Sequence, residues 1–360
     1  MTTATHDLTT NQMAFLQAAG WARAHIQPLS GDASSRRYYR LTQPGHSALL
    51  MVSPPGEHQP CLPTATAAER RALGPNAQMR LAANRTEAFV GVAQWLRDLG
   101  VSAPEILAVD HPQGLALVED FGEALLAQAL ETANETETQT LYDLAADIAL
   151  VIQQAPVPKT VGTDAPWPIL SMDEMVLRSG ADLMLDWGPR LSAAPPVSDA
   201  ARADWDRIWS ALLGPALART PVMTLRDYHA ENLMVLPDRP GLRHLGLLDF
   251  QDTIAGHPAW DLVMLVEDVR RDVPDSVRQR LITRWCDHYG ADLAAEITAI
   301  GAVNAVRIWG VFARLAMRDH KPRYLAFMPR VKQILQRHVH TPELAPLRQW
   351  LAQHQPEVMT

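Results

Sequence analysis

Three polar residues, Asp227, Asn232 and Asp249, have the types and spacing to do chemistry together. Asp227 and Asn232 lie five apart in TLRDYHAENLMVL, and Asp249 closes the apolar run LGLLDF. A carboxylate in reach of a hydroxyl can accept its proton. An amide and a second carboxylate can hold Mg²⁺, a hard cation that takes one or two carboxylates and lets phosphate oxygens complete its shell. Such a set suits phosphoryl transfer, where positioning and charge neutralisation do most of the work. Each residue alone also fits a turn or a strand end. All three in order, each at the edge of an apolar strand, favour the chemical reading. Asp261, after GHPAW, is placed to cap the helix that follows, with a brace for the catalytic loop as the further possibility.

Positioning them requires a hairpin. Thr224-Leu225 closes one apolar segment, Arg226 to Glu231 is a polar loop, and LMVL after Asn232 reads as a short strand. Pro237 to Gly241 is a turn, and Leu245 to Leu248 returns as the second strand. This arrangement brings Asp227, Asn232 and Asp249 to one end.

The first third of the chain is strand-rich. Ile26–Leu29, Arg37–Leu41 and Ala48–Val52 read as strands, and VSAPEILAVD and GLALVEDFGE as two more around a turn at His111–Gly114, the second over Leu115–Val118. SGDASS, Ser30–Ser35, is a small-residue turn whose backbone N–H groups can come close to a phosphate. Asn11–Gly20 predicts a short helix, Ala65–Asn84 an Ala-rich helical stretch and Glu87–Gly100 a firmer helix, with Phe89, Val92, Leu96 and Leu99 on one side. PPGEHQPCLP, Pro54–Pro63, predicts an irregular loop. After Gly122 the pattern turns helical: Ala124–Glu131, Glu137–Gln154, SMDEMVLRSGADLML, Arg202–Leu217, Trp260–Arg271, Ser276–Tyr289, Ala291–Arg318 and Pro329–Arg337. The expected division is therefore near Gly122.

Bulk properties narrow the function. At 360 residues, 47% apolar and 20% charged, the chain is an ordinary globular one. Its net charge of −8 argues against a generic nucleic-acid binder, which needs clustered cations. Two cysteines, Cys61 and Cys286, give no disulfide framework. No secretory signal and no membrane span are apparent, so a cytoplasmic protein is expected.

The stretch resembles the aminoglycoside phosphotransferase family, whose pattern His-x-Asp-x4-Asn is matched by Leu225-Arg226-Asp227 and Asn232. More narrowly the chain is similar to the bacterial cell-wall amino-sugar kinases of that family, through GDASSRRYYRL, LMVSPP, APEILAVD, LALVEDFG, RDYHAENLMVL, LGLLDFQDTIAGHPAWDLVMLVEDVR and GVFARLAMRDHKPRYL. The resemblance implies an α+β, two-lobed, protein-kinase-like fold. Residues 1–121 would form a small antiparallel-sheet lobe and 122–360 a helical lobe. It implies ATP and Mg²⁺ as cofactors and the anomeric hydroxyl of N-acetylmuramate or N-acetylglucosamine as acceptor. Asp227 would be the base, and Asn232 and Asp249 the metal ligands. Glu119 to Phe121 would meet adenine through backbone groups, and the Ser30–Ser35 loop, with Ser34, would cover the phosphates. A kinase for another hydroxyl compound, an aminoglycoside or choline-like amine, and a nucleotide-binding pseudokinase are the alternatives.

Two departures from the family pattern stand out. Leu225 replaces a bracing His, and SALLMVS has no Lys near Met51 to hold the α- and β-phosphates. Arg36, Arg37 and Arg40 are the nearest cations; in a strand Arg36 and Arg40 share one face and Arg37 takes the other. On the acceptor side, His229 and Glu231 lie in the loop. Arg314, Arg318, Asp319, Lys321 and Arg323 cluster after an apolar helix, as a patch for a sugar or an acidic lactyl group or as a solvated helix end. Trp260 and Trp309 fit either sugar stacking or core packing.

Overall fold

The computed structural model describes residues 8–29, 36–54 and 59–359. Helix α1 (Thr10–Ala18), opened by a Thr9–Gln12 capping box, precedes strands β1 (His25–Pro28), β2 (Arg37–Gln43) and β3 (His46–Val52). Then come α2 (Ala67–Leu73), α3 (Pro75–Gln78), α4 (Thr86–Asp98), β4 (Ile106–Asp110) and β5 (Leu115–Glu119). The five strands make one antiparallel sheet in the order β1-β2-β3-β5-β4. One face of it buries Tyr39, Leu41, Leu50, Val52 and Leu117 with Leu16 and Trp21. Met51, on the other face, joins α4 in the main core.

The predicted single helix over Ala65–Asn84 is two short ones. Gly74 has φ +95° and Pro75 follows it, which ends α2 and restarts the chain as α3. Arg80, Ala83 and Asn84 all have positive φ, so residues 79–85 cannot continue the helix.

Helices α5 (Leu126–Thr132) and α6 (Glu135–Gln154) open the second part. The Pro-rich segment after α6 contains a small ribbon, β6 (Thr160–Val161) with β7 (Trp167–Pro168). Helices α7 (Glu174–Ala181), α8 (Leu183–Leu191) and α9 (Asp199–Ala218) follow. Four three-residue strands then nest as two ribbons. Strand β8 (Val222–Thr224) pairs with β11 (Ile254–Gly256), and β9 (Leu233–Val235) pairs with β10 (Leu245–Leu247). The segments 225–232 and 248–253 that join the ribbons therefore emerge side by side.

Helices α10 (Ala259–Val266), α11 (Asp275–Tyr289), α12 (Leu293–Met317), α13 (Met328–Val339), α14 (Ala345–His354) and α15 (Pro356–Met359) complete the chain. Helix α10 stops five residues before the predicted Arg271. Glu267 leaves helical geometry at φ −122°, ψ 42°, and its buried carboxylate holds His338 at 2.7 Å. The most apolar helix, α12, has the length and mean hydropathy (1.3) of a membrane span, yet 61% of that window is buried inside the protein, as befits a core helix. Trp205, Trp209, Trp285 and Phe250 are wholly buried in the same core, each burial stabilising by about 1.5–3 kcal/mol.

Candidate active site

The two joining segments carry the predicted trio to one place. Leu248 N–H donates to the Asn232 carbonyl at 2.9 Å, which sets Asp249 beside Asn232. The Asn232 side-chain Nδ2 donates to the Asp227 carbonyl at 2.8 Å. With its nitrogen so engaged, the amide presents Oδ1 outward. Asp249 accepts at Oδ1 from Arg36 and, at 3.0 Å, from Gln251 Nε2, while its Oδ2 has no partner among the described residues. The Asp227 carboxylate likewise has none there. Among the described residues this leaves the Asn232 Oδ1, the Asp249 Oδ2 and the Asp227 carboxylate without a hydrogen-bond partner, on segments joined by the Leu248–Asn232 and Asn232–Asp227 bonds. That donor set fits Mg²⁺.

The loop of Asp227 is braced although Leu225 cannot do it. Asp261 accepts from the Leu225 N–H at 2.8 Å and from the Arg226 N–H at 3.0 Å. The Trp260 indole donates to the Arg226 carbonyl at 3.0 Å. Arg226 has φ +74°, a conformation costly for a side-chain-bearing residue, and these bonds with the Arg226 side-chain bond to the Met79 carbonyl (2.7 Å) fix it. The expected cap at Asp261 is thus a brace: the α10 terminus has no side-chain cap bond. Trp260 is neither sugar platform nor plain core but a buried tie.

Burial pushes the Asp261 carboxyl up from 3.8 to about 7, against the pull of its two N–H donors. Because the folded value lies above the unfolded one, the folded chain holds an extra proton between about pH 4 and 7. Stability from this group is present below that window and drains as pH rises through it. Wild type should therefore lose stability relative to Asp261→Asn between pH 4 and pH 7 in urea melts, with no further change above. A constant difference across that range would refute the raised pKa.

The strand arginines separate as the pleat requires. Arg36 points inward and pairs with Asp249. Arg40, on the same face, grips Asp120 at 2.8 Å, the Gly122 carbonyl at 2.9 Å and Glu123. Arg37 takes the other face and is exposed, so the structure does not bring it to the site. Ser34 lies outside the described residues. The Glu119 side chain is spent on Arg239 and, at 3.7 Å, Arg97. The Phe121 ring fills the space over Gly246, where a Cβ would meet it at 2.6 Å, and its backbone N–H has no partner among the described residues.

The acceptor-side candidates fare unevenly. His229 is buried with Nε2 3.4 Å from Asn232 Nδ2. Burial, then Arg270, pulls its pKa down, so it is a neutral support for Asn232. Glu231 is paired with Arg270 at 3.0 Å. Arg318 is exposed at the end of α12 and chelated by Asp319 at 2.7 and 3.1 Å, away from the loop. Trp309 is buried core.

Sequence reasoning missed Asp252, which accepts from the Ala82 N–H at 2.6 Å and ties the turn after Asp249 to residues 79–85. Only its place three residues after Asp249 hinted at it. Phe250 stacks on Phe89 of α4, centroids 5.0 Å apart. Arg307 was also missed: it is a polar interruption of an apolar helix, and it stacks on Trp260 at 5.6 Å.

The model of the phosphotransferase enzyme family matches residues 25–296. The N-acetylmuramate/N-acetylglucosamine kinase of Caulobacter vibrioides is 42% identical over 349 residues, 95% of each chain. That of Pseudomonas putida is 30% identical, over 91% of this chain and 87% of its own. Among solved structures, ADP-bound aminoglycoside phosphotransferase APH(2'')-Ib superposes with a TM-score of 0.56 at 12% identity, over 91% of this chain and 97% of that one. The fold is thus the two-lobed, protein-kinase-like one, and the chain belongs to the phosphotransferase enzyme family.

Proposed function

We propose that this chain is an ATP-dependent kinase that phosphorylates the anomeric hydroxyl of N-acetylmuramate and N-acetylglucosamine. The observation that carries the reading is the Asp227 carboxylate, without a hydrogen bond among the described residues, held on a braced loop next to Asn232 and Asp249. Asp227 accepts the proton of the acceptor hydroxyl. An anomeric hydroxyl is more acidic than an ordinary alcohol, so a carboxylate suffices as base when the geometry is good. Asn232 and Asp249 would hold Mg²⁺, which when bound neutralises charge on the transferred phosphoryl group. Arg36 stands in for the missing strand lysine, since it alone of the three strand arginines reaches Asp249. The open N–H of Phe121 supports contact with adenine through the backbone, with Arg40 stiffening the segment around it.

The division into lobes at 121/122 belongs to the same reading: the sheet ends at Glu119, and Arg40 clamps residues 120–123. So does a cytoplasmic location, supported by two free thiols, one of them buried. The sugar is favoured over a cationic amine because the relatives at 42% and 30% identity are named for N-acetylmuramate and N-acetylglucosamine. The test is an assay with ATP, Mg²⁺ and each sugar, reading the phosphorus–anomeric-proton coupling by NMR. A sugar 1-phosphate is expected. ATP consumed with an aminoglycoside or choline, and not with either sugar, would overturn the assignment.

A further inference from the structure

Arg307 and Arg314 lie seven residues apart in α12. They therefore share one face, about 10 Å apart along the axis. Arg307 is near the chemistry. Its guanidinium stacks on the Trp260 ring, and that indole donates to the carbonyl of Arg226, the residue before Asp227. Its Nε and Nη2 donate to Asn304 Oδ1 at 3.1 and 2.8 Å, and Nη2 also approaches the Met264 sulfur at 3.8 Å. No carboxylate pairs with it among the described residues, and Nη1 has no partner there. The Arg314 side chain has no hydrogen bond or ion pair among the described residues, and its Nε is buried.

Arg36 and Arg270, by contrast, are paired with Asp249 and Glu231. Burial pulls both Arg307 and Arg314 below the usual arginine range; Asp227 is the carboxylate nearest in effect to the first and Asp319 to the second, yet neither makes an ion pair with it, so the N–H donors are left for another acceptor. The neighbouring helix is also shaped to this side chain. A Cβ at Gly180 would strike Arg307 Cγ at 2.3 Å, so α7 has no side chain where the arginine stem lies.

We propose that Arg307 and Arg314 form the receptor for a carboxylate carried by the acceptor, and that this pair sets the preference for an acidic sugar over its neutral counterpart. The proposal rests on the sugar-kinase reading. N-acetylmuramate differs from N-acetylglucosamine by a lactyl ether that ends in one carboxylate. A guanidinium fork matches that group with two parallel N–H donors.

The test compares kcat/KM for three acceptors: N-acetylmuramate, its carboxamide (same shape, no charge) and N-acetylglucosamine. Wild type is expected to favour the carboxylate over the carboxamide by about 10- to 100-fold, the range for a charge-assisted bond. Arg314→Gln and Arg307→Met should each shrink that ratio about tenfold, mainly through KM for the acid. Thermal melts confirm that each variant folds; if Arg307→Met does not, Arg314→Gln decides. A ratio near one in wild type, or a ratio unchanged in the folded variants, overturns the proposal while leaving the kinase reading intact. Wild type that phosphorylates none of the three overturns the sugar reading and the proposal with it.

Discussion

Asp227→Asn lowers kcat by about 10²- to 10⁴-fold, the usual contribution of a positioned base, while the dissociation constant for ATP stays within a few-fold. The substitution keeps the shape of the side chain and removes its ability to take a proton. Since the Asp227 carboxylate makes no hydrogen bond within the described residues, its replacement disturbs no internal bond. Stability should stay within about 0.5 kcal/mol. The loop conformation rests on other groups: the Asp227 N–H to the Leu225 carbonyl (3.0 Å), Asp261 and Trp260. Rapid-quench kinetics on the folded variant, with nucleotide binding measured by titration, separate the two effects. Near-normal turnover would remove Asp227 from the chemistry.

Asp249→Ala has the second large effect. It removes the carboxylate proposed for the metal and strips Arg36 of its ion-pair partner. A metal neutralising transferred charge is worth several kcal/mol, so turnover should fall by about 10³-fold or more and cease to respond to added Mg²⁺. Part of any stability loss will come from the backbone. Asp249 sits at φ +55°, which Asp and Asn tolerate better than Ala. Asp249→Asn keeps that tolerance and discards the charge, so it isolates the electrostatic share. A variant that retained the full Mg²⁺ titration curve would rule out the ligand role.

What the sequence made legible follows from local patterns. Alternating apolar runs placed four of the five sheet strands within a residue or two, and the fifth within a longer stretch. Asp227, Asn232 and Asp249 were placed because short strands on either side fix them to one end of a hairpin. The pleat alone separated Arg37 from Arg36 and Arg40. What stayed hidden depends on partners distant in the chain. The brace at Asp261 reads as a cap until Leu225 and Arg226 are seen folded against it, 36 and 35 residues away. The missing lysine had three candidate substitutes, and only the pairing across 213 residues with Asp249 singles out Arg36. The Ala65–Asn84 stretch misled because Ala-rich composition favours helix, while Gly74-Pro75 and the bond from Ala82 to Asp252 impose a turn.

Four contacts described separately above have a joint mechanical consequence. Arg36 to Asp249, Phe89 to Phe250, the Ala82 N–H to Asp252 and Arg226 to the Met79 carbonyl each tie the first part of the chain to the catalytic segments. Every one is short-ranged and is lost within an ångström or two of separation. A rotation about residues 120–123 would have to rupture all four nearly together. The four contacts therefore act as one cooperative unit: weakening any one of them loosens the hold of the others on the Asp227 and Asp249 segments.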